Sequence, residues 1–247
     1  MKTLKMFGKL ALAVLVCTGF VACGSDDDET TNPNGGVIGG KKITMLVDEQ
    51  EGRTLAFDYD SEGKLSLASE TSRWNNRMLE YTWSNDAIDY TINGGKLRSY
   101  VLNNNLVQKD VTHDGADYYF YNSAKQLKKW TADGDPFSLI WDGDKLISFT
   151  SANEYKQTIT YSGRCNAGYN PLIVNIVCDD ELTYAHPELF GLRSAQLPIS
   201  VTTESSVNWK KAETRNYEYE FDEAGYITKI VGKVESEIVE TWTITWE

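Results

Sequence analysis

From residue 41 onward, hydrophobic and polar residues alternate with a period of two. Tyr217, Tyr219 and Phe221 share one face of a run whose other face carries acids, and residues 241–246 repeat the pattern with Trp and Ile. Such alternation is typical of a strand with one face in a core and the other in water. Between the runs lie short clusters rich in Gly, Asn and Asp, such as residues 222–225, which supply the positive φ angles of tight hairpins.

The hairpins contain an internal repeat: an aromatic residue, Asp or Asn, two or three turn residues, then Leu or Ile. Residues 59–65 and 221–227 match most closely, with looser copies at 121–127 and 141–146. One hairpin per repeat lets consecutive strands pair. The predicted fold class is therefore all-β, a long antiparallel meander of hairpin repeats that forms a strongly curved sheet or open barrel, with one irregular insertion and no long helix. Its aromatic anchors, with Leu102 as a degenerate member, follow at intervals of 19, 19, 20 and 20 residues: Trp83, Leu102, Tyr121, Trp141 and Tyr161.

The insertion lies between residues 170 and 198. Residues 170–181 contain an apolar run that looks like a strand, and Pro187 and Gly191 mark the start and end of one short helical turn. An irregular loop with its own apolar residues either plugs an open end of the core or binds a ligand. The plug is the favoured alternative. In the binding alternative, His186 and Phe190 are the candidate ligand contacts.

The first 22 residues are typical of a secretory signal, because Lys2, Lys5 and Lys9 precede an apolar stretch too short to span a bilayer. The stretch ends at Cys23, which we predict to be lipidated, since residues 20–23 look like a lipobox, in which a lipoprotein signal is cut directly before the cysteine. Residues 23–40 are acidic and then rich in Thr, Asn and Gly, so they form a solvated tether. Residues 41–247 form a single β-rich domain.

Charge and cysteine content limit the partners. The net charge of −12 falls to −15 once the signal is removed, which argues against nucleic acid because phosphate binding needs a basic surface. Cys165 and Cys178 remain in a compartment that permits disulfides, and a bridge between them is one of two open alternatives. Their spacing does not suggest a zinc site.

Few residues point to chemistry. The sequence has two histidines: His113 is expected in an exposed turn, and for His186 capping or packing is favoured over catalysis. A calcium site is conceivable at Asp58, Asp60 and Glu62, which copy the start of a calcium-binding loop, but a charged hairpin turn is favoured because the flanks are strands. Residues 133–135 have the same status. Pairs of carboxylates suited to glycoside hydrolysis arise by chance among 36 acids.

The lipobox, the acidic tether, the hairpin repeats and residues 186–191 followed by Leu197 and Pro198 together resemble an uncharacterised family of Bacteroidetes lipoproteins. That family is described as a domain of unknown function with a porin-like, curved antiparallel sheet. An acidic run behind the lipidated cysteine is similar to the surface-export signal of such lipoproteins. A looser similarity links the hairpins to Tyr-Asp repeat proteins. The resemblance brings no catalytic residues.

These observations predict an outer-membrane lipoprotein, exposed on the cell surface or, alternatively, facing the periplasm. We expect a binding or scaffold module for a glycan or protein ligand rather than an enzyme, held to the membrane by its lipid anchor alone, with no cofactor other than the conceivable calcium ion. One alternative is a carboxylate-dependent hydrolase. Another is a transmembrane β-barrel, in which Glu218, Glu220 and Asp222 would have to line a lumen.

Overall fold

The computed structural model describes residues 40–95, 97–112, 115–132, 134–151, 155–205 and 212–247. Within these residues, sixteen antiparallel strands form a closed barrel with two short α-helices and one 3-10 helix between β12 and β13. The helices are α1 (Pro171–Val177), α2 (Glu181–Ala185) and the 3-10 helix Pro187–Phe190. The strands are β1 (Ile43–Asp48), β2 (Arg53–Tyr59), β3 (Leu65–Thr71), β4 (Asn76–Trp83), β5 (Ala87–Ile92), β6 (Arg98–Asn103), β7 (Leu106–Val111), β8 (Ala116–Tyr121), β9 (Leu127–Ala132), β10 (Asp135–Asp142), β11 (Lys145–Thr150), β12 (Tyr155–Cys165), β13 (Gln196–Ser205), β14 (Glu213–Phe221), β15 (Ile227–Val234) and β16 (Glu237–Trp246).

Each strand pairs with its neighbours in sequence, and β1 pairs with β16 so that Leu46 lies opposite Ile244. The predicted all-β meander is confirmed, and it closes fully, which leaves no open sheet edge. We call the end of the barrel at which Gly40 and Glu247 lie the tether end. The opposite end, which carries the β1–β2 and β3–β4 turns, is the mouth.

The alternation of residue types determines which face of the barrel is dry. On β14, Tyr217 is 9% exposed, whereas the side chains of Glu218 and Glu220 are 66% and 68% exposed. The aromatic residues thus form the core, as the period of two predicts. Inside the wall, the ring of Trp130 stacks on Phe137 and Phe149 at centroid distances of 4.4 and 5.4 Å.

The hairpin repeat has a structural cause at the tether end. Asp60 accepts hydrogen bonds from the backbone N–H groups of Glu62 and Lys64, and Asn122 and Asp222 cap their turns in the same way. In seven hairpins of the described chain, an aromatic side chain near the end of the even strand donates to a backbone carbonyl near the start of the preceding strand, at 2.5–2.8 Å. Leu102 has no polar hydrogen, so it cannot make this bond. The donors are Tyr59, Trp83, Tyr121, Trp141, Tyr161, Tyr219 and Trp246.

The insertion is a plug, which we define as residues 166–195, inside the barrel. Its apolar residues Leu172 and Leu182 are fully buried. Its rings contact different parts of the wall, because Tyr184 meets Trp242 of β16 and Phe190 meets Tyr100 of β6. The expectation that residues 170–181 form a strand is wrong, because Asn170 caps the first turn of a helix with Pro171 at its start. The predicted turn from Pro187 to Gly191 is confirmed as the 3-10 helix. In the described chain, no helix is long and apolar enough to cross a membrane.

Candidate functional site

Both ligand contacts suggested by the sequence lie in the plug, where both are largely buried. The Nε2 atom of His186 accepts a hydrogen bond from the backbone N–H of Leu65 at 3.1 Å, and its Nδ1 lies 2.9 Å from Glu188 Oε1. Phe190 is 1% exposed and meets the rings of Tyr100 and Tyr119 edge-on. His186 therefore fastens the plug to β3, and Phe190 has no surface to offer a ligand.

Cys178 carries a free thiol, so the suggested bridge to Cys165 is wrong. Cys178 ends α1 at the inner tip of the plug, where its Sγ lies 3.9 Å from Thr183 Oγ1, whereas Cys165 ends β12 at the tether end. Burial raises the pKa of the Cys178 thiol. Cys23, the predicted lipidation site, lies outside the described residues, as do His113 and Asp133.

The residues of the suggested calcium loop are engaged in the β2–β3 hairpin. Asp60 caps the turn, Glu62 Oε2 pairs with Lys64 Nζ at 2.8 Å, and Asp58 is exposed on the outer wall. Among the described residues, no group of three His, Cys, Asp or Glu side chains is placed to hold a metal ion. Calcium binding stays a prediction to which this geometry adds no support.

The tip of the plug is pinned to the mouth by two arginines of the barrel wall. Arg53 binds Glu70 at 2.9 Å through Nε and also pairs with Asp179. Arg77 pairs with the same Glu70, and its Nη2 lies 2.8 Å from Glu181 Oε1. Glu70 is 8% exposed and joins the two guanidinium groups. Because the ion pairs connect wall and plug, they fix the plug tip and hold the guanidinium and carboxylate groups in place at the mouth.

Beneath this network lies a set of partly or fully buried carboxyl groups. Asp180 caps α2 and accepts a hydrogen bond from the Tyr100 hydroxyl at 3.0 Å, and burial raises its pKa. Burial, followed by repulsion from Asp180, raises the pKa of Glu181 to about 7. Burial, followed by repulsion from Asp180 and Asp117, likewise raises the pKa of Asp110 to about 7. Burial thus favours the protonated form of these three carboxyl groups.

A cleft of about 410 Å³ opens at the mouth above the plug tip. Trp74 stands at its side on the β3–β4 turn with 80% of its surface exposed, and the Arg73 guanidinium lies 4.8 Å from its ring centre. Ser72 Oγ accepts hydrogen bonds from the backbone N–H groups of Trp74 and Asn75, which fixes the turn. The cleft therefore combines an aromatic surface with charged and amide groups. Its lining residues are Glu51, Arg53, Glu70, Ser72, Trp74, Asn75, Arg77 and Asp179.

Sequence reasoning missed this cleft. One signal was available: Trp74 lies in the polar cluster 72–76, between two alternating strands, where an aromatic residue serves no core. The pairing of Arg53 and Arg77 with the plug, by contrast, joins residues about one hundred positions or more apart. No local sequence pattern predicts contacts between residues so far apart in the chain.

Two solved structures have the same fold. A porin-like protein from Bacteroides uniformis is 16% identical with a TM-score of 0.60, and the match covers 88% of this chain and 99% of that chain. A porin-like protein from Bacteroides vulgatus is 12% identical with a TM-score of 0.56, covering 83% and 98%. No protein-family model and no curated protein matches the sequence. At these identities the similarity establishes a porin-like β-barrel fold.

Proposed function

We propose that this protein is an outer-membrane lipoprotein, exposed at the cell surface, whose barrel binds a glycan at the mouth cleft. The observation that carries the proposal is Trp74, 80% exposed beside a cleft of about 410 Å³. A large aromatic side chain left in water forgoes roughly 2–3 kcal/mol of burial. Its flat face can cover the apolar face of a pyranose ring, while Asn75 and the charged groups exchange hydrogen bonds with hydroxyl groups.

The filled interior supports binding rather than passage. Ile173, Val174 and Leu182 of the plug are 0% exposed, and ion pairs hold the plug tip at the mouth. A solute could cross the barrel only if the plug left it, which would expose the apolar core to water. The plug tip therefore closes the barrel at the mouth, and a ligand can bind on its outer surface.

The outer wall supports a barrel that faces water. A membrane-spanning barrel needs an apolar band on its outside, yet Glu218 and Glu220 point outward and pair with Lys233 and Lys229. We therefore place the transmembrane alternative second. Attachment through Cys23 would then hold a water-soluble barrel near the membrane, since two or three acyl chains anchor stably.

The hydrolase alternative receives less support. Asp110 and Glu181, the acids whose pKa is raised to about 7, are not among the cleft's lining residues, and Glu181 is 1% exposed. Glu70 and Asp179 do line the cleft, but each is bound to arginine. A glycosidase needs an accessible acid that can donate a proton to the leaving group.

A glycan array followed by calorimetric titration tests the proposal. We expect the unacylated Cys23→Ser chain to bind a defined set of glycans on the array. Trp74→Ala should weaken this binding about tenfold or more, because it removes a stacking contact. Tyr118→Ala, which removes an exposed aromatic from the outer wall, is the matched control and should bind normally. An array without retained glycans, or equal binding by Trp74→Ala, contradicts the proposal. Retention of a protein instead would favour the protein-ligand alternative.

A further inference from the structure

The outer wall carries a contiguous surface of unusual composition across β6 to β10. Val101 lies beside Lys109, and Lys109 lies beside Tyr118 on the next strand. One row nearer the tether end, Phe120 pairs with Lys129. We call Val101, Lys109, Tyr118, Phe120, Lys129 and Ile140 the aromatic-lysine patch; its apolar members are 38–56% exposed.

The two lysines of the patch are directed to its rings. Lys109 Nζ lies 5.4 Å from the ring centre of Tyr118, and Lys129 Nζ lies 5.9 Å from that of Phe120. Lysines on β15 behave differently, because Lys229 and Lys233 pair with glutamates of β14. In the described part of the chain, neither lysine of the patch forms an ion pair. The patch is therefore locally basic, although the chain has a net charge of −12.

We propose that the aromatic-lysine patch is a contact site for an anionic lipid surface, against which the barrel lies on its side. The inference rests on the proposed function in one respect, namely that the tether holds the barrel near a membrane. Aromatic rings and lysines in alternation suit the headgroup layer, because rings enter its apolar part while ammonium groups reach the lipid phosphates.

The charge of the whole chain does not oppose this contact. At physiological ionic strength, charges farther away than about 8 Å are largely screened, so the lysines nearest the lipid dominate. The geometry also fits: a convex barrel wall touches a flat surface along a few strands, which is the width of the patch.

Vesicle co-sedimentation of the unacylated Cys23→Ser chain tests the contact without its anchor. We expect binding to vesicles with about one-third phosphatidylglycerol, little binding to phosphatidylcholine alone, and a steep loss with added salt. The double variant Lys109→Gln/Lys129→Gln should bind roughly 25-fold more weakly, about fivefold per lysine. Tyr118→Ser/Phe120→Ser should also weaken binding.

The matched control is Lys229→Gln/Lys233→Gln, which removes two charges from another part of the outer wall and should bind vesicles normally. Equal loss in this control, equal binding to neutral vesicles, or no binding at low salt would overturn the proposal. Loss of self-association in the patch variant, without vesicle binding, would instead assign the patch to a second copy of this chain. Glycan binding measured on the same variants separates a failure of this contact from a failure of the mouth cleft.

Discussion

Replacing Asp110 with Asn should stabilise the barrel at neutral pH and leave it nearly unchanged in acid. Asp110 lies on the inner face of β7, opposite Asp117, with Asp180, Arg98 and Tyr90 nearby. Its pKa of about 7 stands against roughly 3.9 in an unfolded chain. Between these values the folded protein holds a proton that the unfolded chain has lost, so the free energy of unfolding falls as pH rises.

The magnitude follows from the size of the shift. A difference of about 3 pKa units corresponds to about 4 kcal/mol. Because Asp110 as a whole is only half-buried, solvent screening reduces this to about 2 kcal/mol. Asn has nearly the same shape and no charge to desolvate, so Asp110→Asn should gain about 2 kcal/mol at about pH 8 and almost nothing at about pH 4.

Urea unfolding of the wild type and the variant at both pH values measures the difference directly. Asp58→Asn, at an exposed aspartate of the outer wall, is the matched control and should change stability little at either pH. A gain that is the same at both pH values, or a loss at about pH 8, would refute the assignment of a buried, protonated carboxyl.

Three further predictions concern the plug. Gly191→Ala should cost more than about 3 kcal/mol in urea unfolding, because a Cβ at φ +62° would lie 2.3 Å from Lys125 O, whereas Gly52→Ala, at φ +60° in open space, should cost about 1 kcal/mol; equal costs would contradict the packing of Gly191. His186→Leu should cost about 1–3 kcal/mol more than His186→Gln, since only Gln can still accept from the buried Leu65 N–H; equal costs in the same assay would exclude that bond. Cys178 should resist iodoacetamide in the native protein and react in urea without reductant, as peptide mass spectrometry would show; a need for reductant would restore the disulfide alternative.

The sequence was sufficient for the barrel wall because its information is local. Alternation places Tyr217 inside and Glu218 outside. The 19–20-residue interval reflects the hydrogen bond from an aromatic side chain to a backbone carbonyl at the tether end, which recurs from hairpin to hairpin, as at Tyr121 and Trp141. The degenerate anchor Leu102 has a physical explanation, since it has no hydrogen to donate. Closure of the barrel depends on the pairing of β1 with β16, nearly 200 residues apart, which no local pattern specifies.

The plug and the cleft depend on contacts that periodicity does not encode. In the run from Leu172 to Val177 four residues are buried and only Asn175 is polar, so its hydrophobicity shows no clear period and fits a strand or a helix equally. Only the cap at Asn170 and the Pro at the first helical position distinguish the helix. Trp74 breaks the polar character of its turn, but the cleft beside it exists only because Arg53 and Arg77 reach the plug tip.

Hydrogen–deuterium exchange with and without a glycan selected by the array tests the central claim most directly, since the claim is that a filled, water-facing barrel binds at its mouth. We predict that the glycan slows exchange at the β1–β2 turn, the β3–β4 turn around Trp74 and the plug tip at Asp179, and leaves the tether end unchanged. Protection confined to the tether end or to the outer wall, with none around Trp74, would contradict the account.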